Sequence, residues 1–177
     1  MFNRENWKKK INKYDLISVL IFGITAAILG GILAGLLDAT IWHITAELGF
    51  SISVDFSFLI VALIVGFAVK KGYVKYHVLY SAIAIGLFFV GLFFSYIGEL
   101  VALLAINKAI TGPEMFFKYI GMIFSRGDTY YSFFLPINLL LGGFRVDRFI
   151  FFLFDIIFLV LGVVAVYKIS IDNNKKD

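Results

Sequence analysis

Residues 16–37 read LISVLIFGITAAILGGILAGLL, 22 positions without one charged side chain. A helix needs about 20 apolar residues to cross a hydrocarbon layer ~30 Å thick, so this stretch is long enough to span a membrane. It is too long for the core of a signal peptide, about 7–15 residues, and it reads as a retained first span. Outward from it, residues 52–69, 78–106 and 149–167 have the same character. The second of the four is short for a span unless Asp55 lies at the interface. The third, at 29 residues, must tilt or project from the bilayer.

The composition agrees. Of 177 residues, 61% are apolar or aromatic. Only 16% are charged, against about 25% in an ordinary soluble domain. A soluble fold of this size leaves roughly 30% of its unfolded-chain surface wet, too much for so apolar a chain. Disorder needs low hydrophobicity. Both classes are excluded. The chain has no cysteine, which removes disulfides, zinc-thiolate sites, thiol nucleophiles and lipidated cysteines.

Lysine and arginine set the expected orientation. Segment 1–15 carries Arg4, Lys8, Lys9, Lys10 and Lys13, whereas residues 38–55 carry none. The next connection has Lys70, Lys71 and Lys75, and the tail 168–177 has Lys168, Lys175 and Lys176. The positive-inside rule then makes both termini cytoplasmic and residues 38–55 an outer loop of a plasma-membrane protein. The connection 107–148 falls outside. In it Thr111 and Glu114 have capping-box spacing, and residues 112–125 show one polar stripe of Glu114, Lys118, Gly121 and Ser125. That pattern predicts a helix lying in the membrane interface. Residues 130–143 are apolar but short, with Pro136 and Asn138 inside, and read as a re-entrant or interfacial segment. A fifth span there is the main alternative. The fold expected is an all-α membrane protein, a four-span transmembrane helical bundle with an outer interfacial amphipathic helix.

Gly23, Ala27, Gly31 and Gly35 recur every fourth position in the first span. Small residues at that spacing let a partner backbone approach closely, which drives helix association in lipid. The third span offers matching small residues and is the preferred partner, although so long a seam also fits a protein partner or a homo-oligomer. Glu99 and Asp155 lie inside predicted spans. A carboxylate in hydrocarbon must face the bundle, be protonated or be paired. One reading is a polar pocket for a cation or proton. The preferred reading is structural pairing with Lys108, Arg145 or Arg148. His43 and Glu47 share a helix face and could begin a metal set. With no HExxH motif, an interfacial histidine beside Trp42 is the better reading, and no metal is expected.

The stretch 23–98 resembles small bacterial multi-spanning membrane proteins of uncharacterised activity. The features are a Gly/Ala-rich first span (Gly23–Asp38), an aromatic outer loop (Trp42–Phe50), a compact second span ending in lysines (Phe56–Lys71) and a Gly-punctuated third span (Ala82–Gly98). The resemblance implies a bacterial plasma-membrane protein and transfers no activity. The region from Thr111 to the fourth span departs from it.

No enzyme signature is present, whether GxSxG, a phosphate loop or paired metal ligands on a span. No cofactor is expected. Nucleic acid is not an expected partner, because the basic residues are split among short membrane-flanking segments. The partners expected are the lipid bilayer and a protein. The function expected is that of a non-enzymatic subunit or partner-binding membrane component. The alternative is a small transporter with an acidic outward-facing site.

Overall fold

A computed structural model of the chain describes residues 10–49, 56–107, 112–125 and 146–171. Among the described residues the chain is all helical: α1 Lys13–Glu47, α2 Ser57–Gly72, α3 Val78–Ile106, α4 Pro113–Ser125 and α5 Val146–Ser170. Two of these, α1 and α3, are long and apolar enough to cross a membrane. At ~1.5 Å per residue they measure about 52 Å and 44 Å. α2, with 16 residues, falls short of the ~20 a full crossing needs.

Several bounds differ from those read in the sequence. Residues 38–47 are not loop: α1 runs through Asp38 and on to Glu47. The charge at Asp38 does not end the helix, because its Oδ2 accepts a hydrogen bond from the Ser57 amide (2.9 Å). Two threonines in the extension also keep their hydroxyls on the helix. Thr40 donates to Leu36 O (2.7 Å) and Thr45 to Ile41 O (2.9 Å). The stop comes at Gly49, whose φ of 86° suits a residue without a Cβ and whose amide returns to Ala46 O. α2 begins at Ser57 rather than 52, with residues 52–55 outside the described set. α5 extends beyond 149–167 at both ends. α4 covers 113–125, while Thr111 and the segment 130–143 lie outside the described residues.

The packing follows side-chain size. α1 is apolar all round, yet the residues it buries are mainly small: Gly23, Ala27, Gly30, Gly31, Ala34 and Gly35. These lie against α3, which runs parallel to α1, and against α2, which runs antiparallel. A Cβ on Gly35 would meet the Ser95 carbonyl oxygen and come within 2.7 Å of the Glu99 amide. Gly98 approaches the Ile32 backbone in the reverse sense. Two helices in backbone contact gain dense van der Waals packing over many atoms. α2 adds Val61, Val65 and Val69, all fully buried, and α5 adds Val166. α5 runs parallel to α2, with Gly66 against Val166 and Ile169 and Gly162 against Phe58 O.

Candidate functional site: a buried tyrosine and serine cluster at the lysine-rich end

The N-terminus of α1, the C-terminus of α2, the N-terminus of α3 and the C-terminus of α5 meet at one end of the bundle. The connection 73–77 ties them together. Asp15, buried in the first turn of α1, accepts from the Val74 amide (3.2 Å) and the Lys75 amide (3.3 Å). Its carboxylate thus serves the free amides of a tight connection, a charge-assisted use that offsets its burial. Tyr73 donates its phenol proton to Ser170 O (2.6 Å), one of the carbonyls the C-terminus of α5 leaves without a helical partner. Its ring stacks on Tyr80 (centroids 5.3 Å, interplanar angle 20°) and meets the edge of Tyr76 (5.8 Å).

A hydroxyl chain runs beneath these rings. Tyr76 Oη lies 3.0 Å from Ser81 Oγ. Ser170 Oγ lies 2.9 Å from both Ser81 Oγ and Tyr167 O. Each hydroxyl has one proton to give. Ser170 shares its proton between Ser81 Oγ and Tyr167 O, and the Tyr76–Ser81 hydrogen bond can run in either direction. Burial pushes the Tyr76 phenol above its ordinary 10.0, opposed by the Ser81 hydrogen bond and assisted by the nearby Tyr167.

His77 caps α3. Its Nδ1 accepts from the Leu79 amide (3.0 Å), so in the neutral ring the proton sits on Nε2. That atom is buried and has no hydrogen-bond partner among the described residues. Around the cluster, Lys13, Lys71, Lys75 and Lys168 are exposed. The arrangement joins four helix ends and places cations above the joint. Among the described residues, no hydroxyl of the cluster is hydrogen-bonded to His77.

The residues singled out in the sequence lie elsewhere. Glu99 is half-buried on α3, with its backbone at the Gly35 contact. Asp155 and Arg148 are on α5, but their side chains lie outside the described residues, as do Lys108 and Arg145 altogether. Gly31 and Gly35 face α3, and Ala27 meets Gly91 there. Gly23 sits between Leu87 of α3 and Val69 of α2. His43 Nε2 is 3.3 Å from Glu47 Oε1, and among the described residues no three His, Cys, Asp or Glu side chains gather as a metal group. Sequence reasoning missed the cluster. Its signal was the run KKGYVKYHVLYS at 70–81, where three tyrosines and a histidine crowd a connection between apolar stretches.

Comparison with known proteins finds no matching family model, no matching curated protein and no matching solved structure.

Proposed function

We propose that this chain is an integral plasma-membrane protein, a four-span bundle with both ends cytoplasmic, acting as a non-enzymatic subunit that binds a protein partner. The observation that carries the membrane reading is inverted polarity. α1 turns its small residues inward and leaves Ile17, Ile21, Phe22, Leu29, Leu33 and Leu37 exposed. Only 28% of its most apolar stretch is buried, whereas the core helix of a soluble protein is mostly buried. Exposed apolar side chains on α5, such as Ile157 and Val160, extend the same surface. Lipid is the solvent that makes such a surface favourable.

Asp15 and Asp38 support a register for the crossing. Each serves backbone amides of another segment, and they are about 35 Å apart along α1 at ~1.5 Å per residue. That spacing matches a hydrocarbon core of ~30 Å with a carboxylate just beyond each boundary. The lysines of the Asp15 end then face the cytoplasm.

The subunit reading draws on the α1–α3 seam. Backbones in contact along Gly31, Gly35 and Gly98 leave no path for a solute between these two helices. The seam makes a stiff platform. α4 offers a second surface: its Phe117 is 70% exposed beside exposed Glu114 and Lys118. Purification in mild detergent tests the reading. A stoichiometric protein partner is the expected result. A partner-free chain that co-purifies a small solute, and releases it on Glu99→Gln, would favour a carrier instead.

A further inference from the structure

We propose that the lysine-rich end of the bundle is a binding surface for anionic phospholipid headgroups, with Lys13, Lys71, Lys75 and Lys168 meeting their phosphates. The proposal rests on the membrane reading above and adds a partner chemistry to it.

The four lysines come from four different segments: the first residue of α1, the last turn of α2, the connection 73–77 and the last turn of α5. Chain folding alone brings them to one end. The contacts that do so are short and specific. The backbone amide of Lys75 is held by Asp15. Lys168 precedes by two residues the Ser170 that receives Tyr73 and meets Ser81. Gly72, next to Lys71, lies against the Val19 backbone of α1. The buried cluster therefore fixes where the lysine stems begin, while the stems stay free to reach.

The charge at this end is one-sided. Among the described residues Asp15 is the acidic side chain placed there, and it is buried and turned onto backbone amides. Aqueous counter-anions must balance the lysines if nothing else does.

The apolar neighbours select a lipid over a soluble polyanion. Tyr14, beside Lys13, is 82% exposed, and Val74, beside Lys75, is 72% exposed. Ile11, just ahead of α1, and Ile17, near its start, are exposed at the same end. Cations interleaved with aromatic and aliphatic side chains match the headgroup layer, where phosphate and acyl chain lie within a few ångström of each other. A dissolved polyphosphate would use the lysines and leave the apolar groups idle.

The test uses the full chain in mild detergent, offered phosphatidylglycerol and phosphatidylcholine in equal amounts. Native mass spectrometry reads which lipid is retained, and a melting curve reads stabilisation. The wild-type chain is expected to retain phosphatidylglycerol preferentially and to melt higher with it. High salt should remove the preference, because ~1 M salt screens charge within about 3 Å. The triple variant Lys71→Gln, Lys75→Gln, Lys168→Gln should lose about fivefold in preference per lysine, and the Lys→Arg triple should keep it. The single variant Lys168→Gln preserves the test if the triple fails to fold. Equal retention of the two lipids, an unchanged preference in the Gln variants, or the same stabilisation by inorganic phosphate would overturn the proposal. A chain that stays monodisperse in buffer without detergent would remove the membrane reading as well. A chain that inserts into bilayers yet ignores headgroup charge would remove this proposal alone.

Discussion

At the scale of single residues, glycines separate into those that packing requires and those it does not. Gly35→Ala would drive a methyl into the α3 backbone, where the Glu99 amide is already 2.7 Å from the Cβ position. Backbone cannot step aside as a side-chain tip can, so the cost should be about 1–3 kcal/mol. Gly86→Ala meets nothing within 4 Å and should be neutral or stabilising by up to ~1 kcal/mol. Melting curves of the two variants in one detergent compare them directly. Tyr73→Phe leaves the Ser170 carbonyl buried without its donor and should cost about 1–3 kcal/mol. Tyr76 brings a pH dependence. Burial raises its folded-state value above the ordinary 10.0, so the folded state holds that proton more tightly than the unfolded chain. The resulting stability is whole below the ordinary value and is lost as pH climbs through the raised one. Wild-type protein should therefore lose stability more steeply above about pH 10 than Tyr76→Phe. The glycine stripe was readable in the sequence because its period lies within one helix. The hydroxyl cluster was not, because Ser170 meets Ser81 and Tyr73 across 89 and 97 positions of chain.

At the scale of the elements, helix ends are served by side chains from other helices. α2 has no side-chain cap of its own at Phe56, and Asp38 of α1 supplies one in its place. Replacing Asp38 with Ala should cost about 1 kcal/mol, the ordinary worth of a cap, and Asn should recover part of it. Hydrogen exchange at the first turn of α2 reads the loss locally. His77 does the same task within its own chain segment, holding the Leu79 amide. Its replacement by Asp should keep the start of α3 protected, and by Ala should not. Element bounds were partly legible. The apolar run 78–106 coincides with α3, which starts at the His77 cap and ends at Asn107, the first polar residue after the run. The end of α1 was misplaced at Leu37, since a carboxylate after an apolar run resembles a boundary. Its satisfaction by a distant amide is a tertiary fact that no local pattern carries.

For the whole molecule, composition pointed to a membrane protein, and the structure has two helices, α1 and α3, long and apolar enough to cross one. The order of packing was not visible there. Small residues on α1 could have served another copy of the chain. Their use against α3 and α2 inside one chain is a tertiary fact, seen in the contacts of Gly30, Gly31 and Gly35. The two ends of the bundle differ in chemistry, with Lys71, Lys75 and Lys168 exposed at one and the His43–Glu47 pair at the other. If lipid fills the space between, those ends lie in different compartments. The chain has no cysteine, so single substitutions report cleanly. Intact expressing cells carrying either Glu47→Cys or Lys75→Cys would be treated with a membrane-impermeant maleimide. The expected result is immediate labelling at 47, and labelling at 75 only after the membrane is opened. Equal labelling of both positions in intact cells, or recovery of both variants in the soluble fraction, would contradict a bundle threaded through lipid with its lysines inside.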